Sequence, residues 1–269
     1  MKVMSWNVDG TFPPAGSPDS IEEQIEWFST FDTLPQVLLL QEVNHNRSDH
    51  WYDLLCDQLG YHTIRGTLDL AAELEHSNGH ITALRGRGTL SVNIYDPEDS
   101  GFRPTDFPEK ILVTEVARPE TTIEVWNIRA VPGNDYGEEK IKIHELAYHG
   151  ITEGQTRPRI LAGDFNSPDR ELADGQAVPF GYNRDKSIRE RWVNAELNLL
   201  KGLGHLGMVD VFRAQHGYGD LDVLDKSWDR QKRFDHIIAS QELTHTECCY
   251  LPDGYEYSDH APIVAEFDV

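Results

Sequence analysis

The segment RILAGDFNSP, residues 159–168, joins a short apolar run to a polar hexapeptide that ends in proline. The apolar run predicts a buried strand, and Pro168 prevents that strand from continuing. Asp164 and Asn166 are two residues apart, so in an extended chain their side chains lie on one face. An ionised carboxylate next to an amide is suited to binding and deprotonating a water molecule. The alternative is an Asx-turn, in which both side chains satisfy only the local backbone.

Other predicted strands also end in polar residues. In chain order the motifs are SWNVDG (5–10, with Asn7 and Asp9), LLLQEV (38–43, with Glu42), GDFNSP (163–168), RFDHIIAS (233–240, with Asp235) and SDHAPI (258–263, with Asp259 and His260). A buried aspartate needs a partner, and an imidazole is the natural one where a histidine tautomer must be fixed. Taken singly, each motif is also compatible with an ordinary polar loop. If the strand ends converge, the five motifs form one site on a rigid scaffold.

The hydrophobic pattern predicts an α/β fold. Helices are predicted at 18–28, 48–59, 137–150 and 187–203, and strands at 2–8, 36–40, 80–84, 90–95, 110–117, 122–128, 159–162, 209–212, 233–239 and 261–267. Strands in two clusters with interleaved helices predict two packed sheets covered by helices. No linker or repeat interrupts the chain, so we expect one domain spanning residues 1–269.

The composition is strongly acidic. The chain has 24 Lys and Arg against 46 Asp and Glu, a formal net charge of −22. This charge disfavours extended electrostatic tracking along nucleic acid but allows a local basic groove. The three cysteines, Cys56, Cys248 and Cys249, form no plausible disulfide framework. No apolar run reaches the length of a bilayer span, and we expect a soluble, cytoplasmic protein without membrane contacts.

Together and in this order, the five motifs resemble the endonuclease/exonuclease/phosphatase superfamily, which includes DNase I and exonuclease III-type endonucleases. The resemblance extends from Asn7 to His260. It implies a DNase I-like fold, a four-layered α/β sandwich with two packed, mostly antiparallel mixed sheets flanked by helices. It also implies a metal-dependent phosphoesterase, either a nuclease or an enzyme for a small phosphorylated metabolite or lipid headgroup. We expect a monomer.

The resemblance assigns a metal site to four residues. Glu42 resembles the principal Mg²⁺ ligand, and Asn7 and Asp9 lie beside it in the same metal and phosphate site. Asp259 resembles the acidic residue next to the metal. Hard oxygen ligands suit Mg²⁺ or Mn²⁺, and Mg²⁺ keeps several waters, so few protein ligands suffice.

The resemblance assigns the chemistry to four further residues. Asp164 resembles the group that activates the attacking water, and Asn166 the group that holds this water or a phosphate oxygen. His260 resembles the residue that contacts the scissile phosphate, and Asp235 would orient and charge it. A phosphodiester is anionic and repels hydroxide, so a catalyst must cancel charge and supply an oriented base.

The strand IEVWNIRA, residues 123–130, departs from the family pattern. Asn127 matches, but Arg129 stands where many members have histidine, and Ala130 where abasic-site endonucleases have tyrosine. Arginine cannot donate its proton at working pH, but it can bind a phosphate bidentately. We therefore expect Arg129 to act electrostatically, with metal-bound water, His80 or His144 protonating the leaving group. The alternative is a surface arginine paired with a nearby acid.

Two segments combine aromatic and basic residues and are candidates for binding substrate. The first, 169–187, contains Arg170, Phe180, Tyr182, Arg184 and Lys186 and leads into a helix with Arg189 and Arg191, and the second, 228–233, contains Trp228, Arg230, Lys232 and Arg233. A solvated helix face and an ordinary loop are the alternatives. Three functions remain open: a DNA or RNA nuclease, an enzyme for a small phosphoester, and a binding module without turnover.

Overall fold

The structure is a computed structural model that describes residues 1–11, 16–86, 88–93, 104–153, 157–219, 226–229 and 232–269. Its strands are β1 (Lys2–Asn7), β2 (Val37–Asn44), β3 (Thr63–Gly66), β4 (Asn78–Leu84), β5 (Thr89–Asn93), β6 (Ile111–Ala117), β7 (Thr122–Arg129), β8 (Arg159–Asp164), β9 (Arg170–Glu171), β10 (Ala177–Val178), β11 (Met208–Asp210), β12 (Asp235–Ser240), β13 (Thr244–Tyr250) and β14 (Ile263–Asp268). Its α-helices are α1 (Pro18–Ser29), α2 (Ser48–Asp57), α3 (Leu68–Glu73), α4 (Gly133–Tyr136), α5 (Glu139–Thr152), α6 (Lys186–Leu200) and α7 (Val211–His216).

Twelve of the described strands form two six-stranded sheets. The first has the order β13-β14-β1-β2-β4-β3 and the second the order β11-β12-β8-β7-β6-β5, while β9 and β10 form a separate ribbon. Within the described strands, β1–β2 and β7–β8 are parallel and the other pairs are antiparallel. Both sheets are therefore mixed and mostly antiparallel, as predicted.

The two sheets pack face to face, and helices cover their outer faces. One buried cluster joins the inner faces, with Val3 and Leu39 from the first sheet and Val125 and Ile160 from the second. Successive residues of a strand point to opposite faces, which explains why strands buried on both sides are continuously apolar. The four-layered α/β sandwich predicted from the sequence is confirmed.

The outer layers have separate cores. Helices α1 and α2 bury Phe28 and Leu55 against the outer face of the first sheet, in a cluster with Leu38. Helices α5 and α6 bury Ile151 and Leu199 against the second sheet. At the start of α1, the Ser17 hydroxyl accepts the N–H of Ser20, and Pro18 occupies the first turn, as the sequence predicted.

Several predicted elements differ from the structure. The strand predicted at 209–212 ends at Asp210, whose carboxylate accepts the N–H of Arg213 at 3.2 Å and caps helix α7. The helix predicted at 137–150 begins at Glu139 and ends at Thr152. Gly137, which has a φ of 57°, separates it from the short helix α4, which was not predicted.

Several further elements were not predicted, among them β3, α3, β9, β10 and β13, and one prediction is only partly covered. Helix α3 lies in the region predicted to contain only strands. Strand β13 is an edge strand with mostly polar or exposed side chains, so it lacks a hydrophobic signal. For the strand predicted at 90–95, residues 94 and 95 lie outside the described residues.

Candidate active site

The polar residues at the strand ends converge because of the register of the sheets. In the second sheet, Asp164 at the end of β8 is paired with Arg129 of β7 on one side and Asp235 of β12 on the other. In the first sheet, Asn7 at the end of β1 is paired with Gln41, directly before Glu42. The ends of neighbouring parallel strands lie at the same edge of their sheet, and both edges open to the same side of the sandwich.

The side-chain nitrogen of Asn7 lies at the centre of the site. Asn7 Nδ2 is 2.9 Å from Glu42 Oε1, 3.1 Å from Asp164 Oδ2 and 3.4 Å from His260 Nε2. The amide oxygen accepts the N–H of Asp9 at 3.1 Å. Asn7 is buried. Motifs separated by up to 253 residues therefore meet around one buried amide.

His260 lies between two carboxylates. Its Nδ1 is 2.8 Å from Asp235 Oδ2, and its Nε2 is 4.0 Å from Asp164 Oδ2. Burial alone would lower the pKa of His260, but the negative charges of Asp235 and Asp164 outweigh burial and raise it to about 10. The indole of Trp6 donates to the His260 carbonyl at 2.9 Å and fixes the backbone. The imidazole is therefore held in its charged form.

Asp164 and Asn166 form an Asx-turn that also contributes to the site. Asp164 Oδ1 accepts the backbone N–H of Asn166 at 2.8 Å, while Oδ2 faces Asn7 and His260. Burial raises the pKa of Asp164 to about 6, although the charge of His260 opposes that rise. Asn166 Nδ2 donates to Ala130 O at 2.6 Å and to Asp164 Oδ2 at 3.1 Å. With both amide hydrogens used, its oxygen is left to accept from a water.

Backbone strain is concentrated at this site. Asp9, Glu42 and Asn166 have φ values of 50°, 57° and 47°. Non-glycine residues rarely adopt positive φ, which costs on the order of 1–3 kcal/mol each and is common in functional sites. At Gly163, with φ 141°, a Cβ atom would lie 1.8 Å from Ile128 O. Only glycine fits before Asp164.

Glu42 is held by three donors. Its Oε1 accepts from Asn7 and from Arg129 Nη2 at 2.5 Å, and its Oε2 accepts from the Thr11 hydroxyl. Burial would raise the pKa of Glu42, but Arg129, Thr11 and Asn7 lower it to about 2. Arg129 Nε is buried without a hydrogen-bond partner among the described residues and lies 3.7 Å from Asp164 Oδ2. Arg129 therefore bridges two carboxylates and is 12% exposed in the cleft.

Three acids, Asp9, Glu42 and Asp259, lie close enough for their charges to interact, which suits a hard cation. Burial, followed by the charges of Asp259 and Glu42, raises the pKa of Asp9 to about 6. The three carboxylates therefore repel one another, and a divalent cation would relieve that repulsion. Their oxygens are the donor type that Mg²⁺ and Mn²⁺ prefer, whereas Asn7 presents its amide nitrogen to Glu42 and its oxygen to the N–H of Asp9.

Among the described residues, the one group of acids and histidines with the spacing of metal ligands consists of Asp164, Asp235 and His260. Their ligand atoms lie within 4.8 Å of one another. The short Nδ1–Asp235 contact and the raised pKa of His260 instead indicate an imidazolium between two carboxylates. A protonated imidazole has no lone pair for a metal. We therefore interpret this group as a charged hydrogen-bonded triad.

The site opens into a cleft of about 400 Å³, whose lining includes Glu42, Arg129, Asp164, Asn166, Asp259 and His260. A second cavity of about 550 Å³ adjoins it and shares Glu42 and Arg129 as lining residues. The sequence did not indicate Thr11, which bonds Glu42, or Lys140, which lines the first cavity. Neither residue stands in a motif that marks its role.

The two histidines considered as proton donors are unsuited to that role. His80 and His144 are both fully buried. Burial lowers the pKa of His80 well below its ordinary value and that of His144 to about 3. Their ring nitrogens bond the carbonyls of Asn127 and Phe165. Both histidines are therefore neutral structural residues, and this part of the sequence prediction is wrong.

The basic and aromatic residues of the two candidate segments fall into two groups. Phe180, Arg184, Trp228 and Lys232 line the first cavity. Three others have partners in the protein: Arg233 is buried against Glu171 and Asp210, Arg191 pairs with Glu138 and Glu145, and Arg189 bonds the Arg184 carbonyl. Arg170, Tyr182 and Lys186 are exposed. Arg230 lies outside the described residues. The residues that line the cavity remain candidates for binding substrate, which stays a prediction, and the others are exposed or paired with acids or backbone.

Comparisons with known proteins agree with the fold. A family model described as the Endonuclease/Exonuclease/phosphatase family matches residues 4–260. Similar solved structures include D. rerio TDP2 complexed with single strand DNA product (17% identity, TM-score 0.64, covering 100% of this chain and 99% of that chain). They also include a 3′-5′ exonuclease from Neisseria meningitidis (20% identity, TM-score 0.61, covering 100% of this chain and 100% of that chain). A third is the Xenopus laevis APE2 catalytic domain (18% identity, TM-score 0.63, covering 99% of this chain and 91% of that chain). A search of curated proteins found no significant match.

None of the helices in the described ranges has both the length and the apolar composition needed to cross a bilayer.

Proposed function

Because the chain belongs to the endonuclease/exonuclease/phosphatase family over residues 4–260, we propose that it is a divalent-metal-dependent phosphodiesterase that cleaves DNA or RNA. One observation carries the proposal: Asn7 Nδ2 lies within 3.4 Å of Glu42, Asp164 and His260 at once. A carboxylate for a cation, a carboxylate base and a cationic imidazole are the groups that phosphodiester hydrolysis needs.

In this mechanism, Asp164 accepts the proton of the attacking water while the Asn166 oxygen orients that water. The charged His260 stabilises the additional negative charge that develops on the phosphate, and Asp235 keeps His260 protonated. Glu42, Asp9 and Asp259 would hold the cation, and Asn7 would position Glu42 through its amide nitrogen. A divalent cation supplies Lewis-acid charge neutralisation at the phosphate and lowers the pKa of a bound water.

Two features favour a polymeric substrate. The cavities on the two sides of Glu42 and Arg129 are contiguous, so a chain could extend in both directions from the reacting phosphate. Four Lys or Arg side chains, Arg129, Lys140, Arg184 and Lys232, line the first cavity although the chain carries a net charge of −22. The same lining holds four acids, Glu42, Asp135, Asp164 and Asp259, so the cations balance these acids locally and can contact phosphate oxygens.

The second candidate function is hydrolysis of a small phosphorylated compound. The first cavity, at about 400 Å³, is of the size that small ligands occupy. The overall acidity also opposes a long duplex footprint.

An activity panel tests both candidates. The substrates are single-stranded DNA, duplex DNA, abasic DNA, RNA and inositol phosphates, each with Mg²⁺, Mn²⁺ or EDTA. We expect metal-dependent cleavage of a nucleic acid that weakens as salt rises, because phosphate contacts release counterions. Glu42→Ala and His260→Ala should be inactive. Turnover of inositol phosphates alone, with little salt dependence, would favour the second candidate, and binding without turnover would contradict both.

Arg129 is expected to act as an electrostatic clamp on the phosphate. Arg129→Ala should lower kcat/KM by about 10–100-fold, because a charge-assisted bidentate contact is lost. The same change should tighten Mn²⁺ binding in calorimetry, because Glu42 Oε1 loses the cation that now contacts it at 2.5 Å. Arg129→Lys keeps the positive charge but lacks the paired donors of the guanidinium, so its kcat/KM should lie between those of the original protein and Arg129→Ala. Full activity in Arg129→Ala would exclude the clamp.

A further inference from the structure

Three cations that line the first cavity each lie against an aromatic ring. Lys140 Nζ and Lys232 Nζ lie 4.3 and 4.5 Å from the Phe180 ring centroid. Arg184 Cζ lies 4.1 Å from the ring centroid of Trp192, and its guanidinium lines the same cavity. We call Lys140, Arg184 and Lys232 the cationic wall. None of the roles assigned to the candidate active site uses these residues.

Lys140 is the buried centre of this wall. The residue is 2% exposed, yet it lines the cavity. Its ammonium donates to Asn166 O at 2.7 Å, and the nearest carboxylate oxygen, Glu196 Oε2, is 3.8 Å away, beyond hydrogen-bond distance. Of its three N–H groups, one therefore has a protein acceptor within the described residues. A buried ammonium is strongly stabilised by an anionic acceptor.

The negative charges nearest the wall are already engaged. Both oxygens of Glu196 accept hydrogen bonds, from the Ser167 hydroxyl and from the backbone N–H groups of Phe180 and Gly181. Asp169 pairs with Lys232 at 2.5 Å. Arg184 has no carboxylate within ion-pair distance among the described residues, and its side chain forms one hydrogen bond there, to the Asn134 amide oxygen at 3.4 Å. Because Lys140 lies 3.8 Å from Glu196 and Lys232 is paired with Asp169, the positive charge of the wall that lacks an acidic partner is that of Arg184.

The repulsion within the wall acts on Lys140. The pKa of Lys140 is lowered to about 8, chiefly by burial; Glu196 and Asp164 oppose this change, and the charges of Arg184 and Lys232 add to it. An anion bound between the three cations would remove this mutual repulsion.

Gly133 keeps the space in front of the wall open. A Cβ atom at this position would lie 3.1 Å from Lys140 Cδ, 3.1 Å from Arg184 Nη2 and 2.7 Å from Trp192 Cζ2. A side chain at residue 133 would therefore displace two of the three cations. The absence of a side chain leaves Lys140 and Arg184 accessible from the cavity.

We propose that the cationic wall binds a second phosphate of the substrate, next along the chain to the one that Asp164 and His260 attack. This inference rests on the proposed function. The wall is connected to the reacting residues through one residue, because Asn166 accepts from Lys140 with its carbonyl oxygen and donates to Asp164 with its amide. The preferred substrate therefore carries at least two phosphates, supplied by a polynucleotide or by a small polyphosphorylated compound.

Paired substrates that differ by one phosphate test the proposal. The dinucleotide TpT has one phosphodiester, and its 5′- and 3′-phosphorylated forms add a second phosphate on either side. We expect at least one phosphorylated form to have a kcat/KM about 10–100-fold above that of TpT, from one or two charge-assisted hydrogen bonds. A matched pair of inositol phosphates with one and two phosphates distinguishes a small compound from a nucleic acid as the source.

The variant Arg184→Gln tests whether the cationic wall causes the higher kcat/KM of the phosphorylated substrate. We expect this variant to lose most of the ratio between the phosphorylated and unphosphorylated substrates. Lys186→Gln is the matched control, because it removes one positive charge two residues away on an exposed side chain outside the cavity. Lys140→Met tests the centre of the wall, with circular dichroism to verify folding.

The outcomes separate this inference from the proposed function. Cleavage of TpT without a gain from a second phosphate on either source overturns the subsite and leaves the phosphodiesterase intact. A gain that Arg184→Gln and Lys186→Gln reduce equally also overturns it, because general electrostatic attraction would then be the cause. If no phosphodiester is cleaved under any metal condition, the proposed function itself fails.

Discussion

Asp164→Asn should lower kcat for phosphodiester cleavage by about 10²–10⁴-fold, the usual contribution of a positioned general base. The change preserves size, and the asparagine oxygen can still accept the Asn166 N–H that now bonds Asp164 Oδ1 at 2.8 Å. It removes the ionised Oδ2, which lies 3.1 Å from Asn7 Nδ2 and 4.0 Å from His260 Nε2. The loss should therefore fall on the chemical step, with a much smaller change in KM.

The matched control for Asp164→Asn is Asp174→Asn, in an exposed turn where Asp174 accepts the N–H of Gln176. Steady-state kinetics at saturating Mn²⁺ and thermal unfolding would be measured on both variants. Asp174→Asn should retain the activity of the original protein. If Asp164→Asn keeps more than about a tenth of that activity while folded, Asp164 is not the base.

Asp235→Asn should affect both activity and stability, because it removes the partner that keeps His260 charged. Breaking a buried ion pair by removing one partner costs about 3–5 kcal/mol of unfolding free energy. Loss of the imidazolium should lower kcat by about 10²–10³-fold, the range for removing one electrostatic stabiliser. The contact to be lost is the 2.8 Å hydrogen bond between His260 Nδ1 and Asp235 Oδ2.

The pH dependence of stability has a definite sign. The folded-state pKa of His260, about 10, is raised above the ordinary value of about 6.5. The folded protein therefore holds a proton that the unfolded chain has lost. The stabilisation is complete below about pH 6.5 and decreases as pH rises toward 10. From pH 7 to 8 this residue should account for a loss of about 1 kcal/mol in unfolding free energy.

Urea unfolding at pH 7 and at pH 8 measures the slope of the unfolding free energy against pH. This window lies above the pKa of about 6 of Asp9 and Asp164 and below the range in which Lys110 and Lys140, with pKa values of about 8, contribute most. Asp235→Asn should reduce the slope, and His260→Gln should remove this residue's share. An unchanged slope in Asp235→Asn would mean that Asp235 does not control the charge of His260.

The motifs at the strand ends were sufficient to predict the fold and the identity of the residues that meet. GDFNSP was informative because Asp164 has a local requirement that the sequence states directly. Gly163 must lack a side chain next to Ile128, and the carboxylate of Asp164 caps its own turn. The turn at Asp164 depends on neighbours in the chain and can be read from it, whereas the requirement at Gly163 comes from Ile128 on the adjacent strand.

Arg129 shows what could not be predicted from the sequence. The sequence placed it at a position where the family has histidine, but it could not assign its partners. Glu42, 87 residues away, approaches Arg129 only when the two sheets pack together, and Asp164, 35 residues away, lies opposite it on the neighbouring strand of the same sheet. For the same reason His80 and His144 could not be excluded as proton donors from sequence, because their burial is a property of the assembled core.

The sequence by itself determined the layers of the sandwich, because continuous apolar strands and amphipathic helices can bury their surfaces in few ways. It also determined which ionisable groups stand at strand ends. Only the tertiary structure decided their charge states and the electrostatics of the cavity. Burial and opposing charges raise the pKa of His260 and lower that of Glu42, and the cationic wall joins Lys140 of α5 to Arg184 and Lys232 of distant loops. Such effects depend on distances through space, which spacing along the chain does not specify.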